Sequence, residues 1–101
     1  MLRLYRQGGE AIDVGQGLIK ITVAGVRRGS LLCFVEYDGV IHELPLQIKE
    51  HNTLCENPQI EIVWLELSGS NYVLGVIAPH SVKIERDDYV DEDNIETRRE
   101  S

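Results

Sequence analysis

Apolar and polar residues alternate over several stretches of this chain, and that alternation limits its possible folds more than any other feature. In "LIKITVAGV" (18–26), Ile19, Ile21 and Val23 fall on one face of an extended strand, and Lys20 and Thr22 fall on the other. Further strand-like runs are "SLLCFVEY", "VIHELPLQI", "QIEIVWLEL", "YVLGVIA" and "SVKIER". No long helical pattern competes with them. The sequence therefore predicts an all-β protein of small antiparallel, barrel-like sheets.

Turn residues separate these runs. Asp38-Gly39 predicts a two-residue hairpin of type I′, because that turn needs positive φ at both central positions. Pro45 marks its run as an edge strand or a strand end, since proline cannot donate to a sheet ladder. A short helix is expected between Pro45 and Pro58. The glycines of "RQGGEAIDVGQG" (6–17) lack the spacing of a dinucleotide-binding loop, and we interpret them as turns between strands.

Two stretches of the chain resemble each other. "IKITVAGVRRGS" (19–30) and "IEIVWLELSGS" (60–70) are both alternating strands that run into a turn with glycine and serine. Either the chain carries a duplicated hairpin, or two unrelated β-hairpins look alike.

Charge is unevenly distributed along the 101 residues, whose formal net charge is −7. Residues 85–101 contain eight acids and three arginines, whereas residues 1–84 carry a balance of only −2. We expect one domain at 1–90 and a flexible acidic tail, disordered or a frayed helix, at 91–101. The acidic total argues against strong non-specific binding to nucleic acid. With no membrane segment or signal peptide in the sequence, we expect a cytoplasmic protein.

Catalytic and metal-binding patterns are missing from the sequence. Cys33 and Cys55 form no CxxC pair, so we expect reduced, mostly buried thiols. The histidines His42, His51 and His80 lack the spacing of metal ligands. No phosphate loop, nucleophile motif or metalloprotease motif is present. We therefore predict a protein that is not an enzyme, with no catalytic residue, no metal and no cofactor.

Basic residues occur on both terminal strand runs. By strand parity Arg6 shares a face with Leu4, and Arg86 shares a face with Val82 and Ile84. Aliphatic groups beside a guanidinium suit a surface on which bases pack while arginine binds phosphate or a base edge. The alternative is that these arginines are solubilising charges on sheet faces.

Both ends of the chain resemble the carbon storage regulator family of RNA-binding translational regulators. "MLRLYRQGGEAIDVG" (1–15) is similar to the family's opening pattern MLxLxRxxGExIxIG. "GSNYVLGVIAPHSVKIERDDY" (69–89) is similar to its closing pattern, a glycine turn, a strand with GV or GI, and then APxxVxVxRxEx. Family members have about 60–70 residues, so the resemblance implies an extra β-rich insertion of roughly 40. Its expected position is 16–57, or alternatively about 30–70.

The resemblance implies a homodimer of bacterial type in which strands of two protomers interleave. It implies binding of GGA-containing single-stranded loops in mRNA or small RNA, and thereby control of translation or mRNA stability. The RNA surface would lie where the first strand of one subunit meets the last strand of the other. The residues implied for this surface are Leu4, Arg6, Ala78, Pro79, Val82, Ile84, Glu85 and Arg86, with Arg3, Gln7, Asn71, His80 and Lys83 in secondary positions.

Two residues depart from the family pattern. Gln7 stands where a second basic residue is usual, and Glu85 places a negative charge where a neutral or basic residue is common. Each lost phosphate contact lowers RNA affinity. The alternative function is a protein-interaction module of the same fold, a dimerising, antagonist or adaptor protein that binds a partner through the insertion or the acidic tail.

Overall fold

The computed structural model describes residues 1–87, and strands make up its regular structure, without a helix in that range. The nine strands are β1 (Leu2–Arg6), β2 (Ala11–Val14), β3 (Ile19–Arg27), β4 (Ser30–Tyr37), β5 (Val40–Leu46), β6 (His51–Glu56), β7 (Gln59–Ser68), β8 (Asn71–Ile77) and β9 (Ile84–Asp87). The all-β prediction is confirmed. The short helix expected between Pro45 and Pro58 is wrong, because this segment forms the end of β5 and strand β6. The predicted tail at 91–101 lies outside the described residues.

The strands form two antiparallel sheets. The first sheet has the order β1-β8-β7-β6, and the second has the order β5-β4-β3-β2-β9. Side chains from both sheets join a single hydrophobic cluster, which includes Leu4 and Leu74 of the first sheet and Ile12 and Ile21 of the second. Apolar burial between the two layers is therefore the main stabilising term. No helix within residues 1–87 could cross a membrane.

The alternation in β3 has the consequence expected from its sequence. Ile19, Ile21 and Val23 are fully buried in the core, whereas Lys20 is exposed and Thr22 is half-buried on the outer face of the second sheet. Burial of three branched aliphatic side chains on one face fixes the register of the strand, since a shift of one residue would expose all three.

The hairpin prediction at Asp38-Gly39 is also confirmed. Asp38 has φ 54° and Gly39 has φ 75°, so both central residues are left-handed, as a type I′ turn requires. The turn joins β4 directly to β5, which is an edge strand of the second sheet. Pro45 lies on this edge strand, where its missing N–H is tolerated.

Tight corners move the chain from one sheet to the other. β1 belongs to the first sheet and β2 to the second, and residues 7–10 connect them. At this corner the N–H of Gly9 donates to the carbonyl of Val23 (2.7 Å), and the N–H of Glu10 donates to that of Gln7 (3.0 Å). Residues 16–57, the expected insertion, supply β3, β4, β5 and β6 and so contribute to both sheets.

The two thiols have different surroundings. Cys33 is fully buried in the core, and burial raises the pKa of its thiol to about 12. Cys55 is half-buried, with its Sγ 3.8 Å from the Tyr37 hydroxyl, and this hydrogen bond is the main cause that raises the pKa of Tyr37. Cys33 and Cys55 are not joined by a disulfide.

Thiol labelling of the native protein at pH 8 tests this difference. We expect one thiol, Cys55, to react with an aromatic disulfide reagent, since Cys33 is both inaccessible and protonated at that pH. The variant Cys55→Ser should then show no rapid reaction, and both thiols of the wild type should react in denaturant. Rapid labelling of Cys33 in the folded protein would contradict its burial in the core.

Candidate ligand-binding surface at strands β1 and β9

Strand β9 is held at the edge of the second sheet by β2. Val14 pairs with Ile84 and Ile12 pairs with Arg86 in an antiparallel ladder. The N–H of Gly15 donates to the carbonyl of Lys83 (2.6 Å), which fixes the start of β9. The strand run "SVKIER" is confirmed only from Ile84 onward, since β9 begins there and residues 78–83 form a loop. Val82 lies in that loop, so the strand parity that placed it on the face of Arg86 is wrong.

The two faces of β9 carry opposite charges. Residues paired directly across an antiparallel ladder share a face, so Arg86 lies on the face of the fully buried Ile12. Glu85 pairs with Asp13 and lies on the opposite, outer face. The negative charge of Glu85 is therefore separated from Arg86 by the strand itself.

Arg86 has an unusual hydrogen-bonding state. Its side chain is half-buried, and within residues 1–87 its Nε is the buried side-chain polar atom without a hydrogen-bond partner. A buried donor left unpaired costs about 1–3 kcal/mol, and an acceptor supplied by a ligand would remove that cost. Arginine is also suited to bidentate binding of phosphate or of a guanine edge.

Arg6 has a structural position instead. Its side chain is buried, at 3% exposure. Its Nε donates to the carbonyl of Tyr5 (2.8 Å), its Nη1 donates to that of Ala11 (3.2 Å), and its Nη2 lies 3.8 Å from Oε1 of Glu10. These contacts join the end of β1 to the start of β2, so Arg6 stabilises the corner from within.

The corner between β1 and β2 also positions Gln7. Its N–H donates to Oε1 of Glu10 (2.7 Å), and its Nε2 donates to Oγ of Ser70 in the β7–β8 turn (3.3 Å). Glu10 thus contacts both Arg6 and Gln7. Its role was missed from the sequence, where only its match to the family's GE pair could have indicated it.

The remaining residues of the sequence prediction divide by burial. Leu4 is buried in the core at 3% exposure, and Ala78, Val82 and Ile84 pack partly buried against that core. Pro79, His80 and Lys83 are exposed on the loop before β9. The structure thus brings an exposed loop and Arg86 to one end of the second sheet.

Two further secondary residues have partners on the first sheet. Arg3 is exposed and forms an ion pair with Glu66 at 2.9 Å across its outer face. Asn71 is half-buried and begins β8, opposite Ser68. Both residues therefore belong to the first sheet, whereas β9 belongs to the second.

A concave feature separate from β9 lies on the outer face of the second sheet. It is an open cleft of about 290 Å³ lined by Asp13, Gly17, Leu18, Lys20, Glu36, Asp38 and Gly39. Asp13 there accepts a hydrogen bond from the N–H of Gly17 (2.9 Å), which gives this carboxylate a role in the turn. Residues 1–87 contain no group of carboxylate, cysteine and histidine side chains arranged to hold a metal ion.

The fold and the surface thus define an all-β, two-layer protein with an arginine-bearing edge. No protein-family model, no curated protein and no solved structure matches the chain.

Alanine variants distinguish the two arginines of β1. We expect Arg6→Ala to lower the free energy of unfolding by about 2 kcal/mol or more, because it removes charged hydrogen bonds to two carbonyls and buried packing. Arg3→Ala, the matched control, should change it by less than about 1 kcal/mol, since its ion pair is exposed to solvent. Urea unfolding followed by tryptophan fluorescence measures both. Equal losses would contradict a structural role specific to Arg6.

Proposed function

We propose that the chain binds single-stranded RNA loops containing GGA at the surface formed by the 78–83 loop and β9 beside the β1–β2 corner. The observation that carries this proposal is half-buried Arg86, whose Nε has no hydrogen-bond acceptor among residues 1–87; a ligand that binds the guanidinium would supply one. The resemblance of both chain ends to the carbon storage regulator family supports RNA as the ligand. Control of translation or of mRNA stability is the expected result of such binding.

The surface offers the contacts that an unpaired loop needs. Arg86 supplies a planar donor for a guanine edge or a phosphate, while exposed Lys83 and His80 extend the donor set along the loop. Pro79 and half-buried Val82 provide apolar area for base packing. Because Arg6 is occupied within the corner, it orients β1 and leaves recognition mainly to Arg86 and the 78–83 loop.

The charge of the described residues limits the affinity of this surface. Only a few cations lie on it, so few phosphates are neutralised and the affinity should fall only modestly with salt. Discrimination between RNA sequences must then come mainly from contacts to bases, each worth about 1–3 kcal/mol when bidentate.

A second candidate function is binding of a protein partner along β5. Val40 and Ile41, at 50% and 63% exposure, lie at the start of this edge strand of the second sheet. Exposed apolar residues on a free strand edge favour pairing with another chain. This function and RNA binding use different parts of the molecule.

Fluorescence anisotropy with a labelled GGA hairpin tests the RNA proposal. We expect low-micromolar binding by the wild type at low salt and about tenfold or more weaker binding by Arg86→Ala. Arg86→Lys keeps the charge but loses the planar donor set, so it should also bind more weakly.

Arg27→Ala is the matched control, because it removes the same charge from the exposed end of β3. It should bind the hairpin like the wild type, and a hairpin with the GGA replaced by CCA should bind no variant well. Equal weakening in Arg27→Ala and Arg86→Ala would show that binding reports net charge alone. Wild type without any binding at low salt would refute the RNA proposal.

A further inference from the structure

We infer that this chain is an internal duplication whose two halves exchange strands within one polypeptide, so that the molecule is a self-contained monomer carrying the β9 surface once. The architecture rests on strand pairing alone. Only the number of RNA molecules bound rests on the proposed function. The inference differs from the homodimer that the sequence resemblance implies.

The central hairpins of the two halves have the same register. In the β3–β4 hairpin, Val23 pairs with Cys33. In the β7–β8 hairpin, Trp64 pairs with Leu74, and both numbers are higher by 41 (64 against 23, 74 against 33). The two stretches that look alike in the sequence are thus equivalent strands.

The irregularities of the two hairpins coincide as well. The β3–β4 register shifts between Val23 and Gly25, and the β7–β8 register shifts between Trp64 and Glu66. A bulge at the same relative position is a specific feature that two unrelated hairpins would not be expected to share.

The corners that lead into these hairpins also match. The N–H of Gly9 donates to the carbonyl of Val23 at 2.7 Å, and the N–H of Lys49 donates to that of Trp64 at 2.7 Å. Both donor residues have a left-handed backbone, with φ 90° at Gly9 and 63° at Lys49. Lys49 stands where the first half has Gly9. A left-handed backbone strains a residue that carries a side chain, so Lys49 adopts this conformation at a cost that glycine avoids.

The first strand of each half pairs with the last strand of the other half's hairpin. Arg6 at the end of β1 pairs with Tyr72 of β8, and Leu46 at the end of β5 pairs with Leu31 of β4. An exchange of this kind between two chains would interleave a dimer. Here the Asp38-Gly39 turn joins the halves, so one chain completes the exchange in both directions.

The halves differ in the segment after the hairpin. After β8 the chain continues through residues 78–83 into β9, which pairs with β2. After β4 it turns at once at Asp38-Gly39 into β5. Along the described chain, β6 therefore has β7 as its neighbour and no strand in the place that β9 occupies beside β2. Within residues 1–87, the 78–83 loop and β9, which make the candidate surface, have no second copy.

Side chains fill the space at β6. Leu54 is the extra residue where the β6–β7 register shifts, and it packs against the core. Tyr37 packs there too, with its hydroxyl at Cys55, whereas the equivalent residue of the other half is Ala78. A bulge and the neighbouring Pro58 blunt the free edge of β6 against pairing. β6 therefore remains an edge strand at this end of the molecule, and Leu46 takes the place that Arg6 has at the other corner.

Light scattering after size-exclusion chromatography tests the architecture with the full chain. We expect a mass near 11.4 kDa. The urea midpoint should be the same over about a hundredfold range of protein concentration, since unfolding of a monomer does not depend on it. A mass near twice 11.4 kDa, or a midpoint that rises with concentration, would overturn the inference.

A titration at RNA concentrations far above the dissociation constant then counts sites. One hairpin per chain is expected, and two per chain would overturn the single-surface part. If the wild type binds no RNA, the proposed function fails while the mass and the midpoint still decide the architecture. Arg27→Ala, which lies at the other hairpin, should keep one site per chain.

Discussion

The fold depends on two backbone hydrogen bonds that close the corners between the sheets. The Gly9 N–H donates to Val23 and the Lys49 N–H donates to Trp64, both at 2.7 Å. Gly9 follows β1 of the first sheet and bonds to β3 of the second sheet. Lys49 follows β5 of the second sheet and bonds to β7 of the first sheet. These bonds fix the direction of β1 and β5, the strands that run into the two corners. Each of these strands lies at the edge of the sheet that contains the hairpin of the other half. Each layer takes strands from both halves, so the core between the layers is built by the two halves together.

The strand content could be predicted from the sequence because the alternation in β3 and β4 reports a half-buried sheet directly. The segment between Pro45 and Pro58 was mispredicted as helix, because "HNTLCE" is an irregular edge strand with a bulge and lacks alternation. Strand parity placed Arg6 on the right face. It gave no sign that this face is the interior, since the partners of Arg6 are carbonyl groups, which every residue carries.

The candidate site, like the fold, could be predicted from the sequence only in part. That Arg86 and Glu85 lie on opposite faces follows from strand alternation alone, and the opposition of Arg86 to buried Ile12 shows which face turns inward. The unpaired Nε could not be predicted, because it depends on which acceptors fold near β9.

The two ends of the molecule show how a duplicated fold can become asymmetric. At one end, β9 pairs with β2 along the edge of the second sheet, and the core-facing residues of β2 are Ile12 and Val14, both fully buried. At the other end, the polar Asn52 and the half-buried Cys55 take the equivalent positions on β6, as a strand edge exposed to solvent requires. A strand that loses its edge neighbour therefore needs polar residues or irregularities along the edge that becomes exposed. The polar Asn52, the bulge and the bulky Tyr37 together form such a set at the end of the molecule where the described chain has no counterpart of β9.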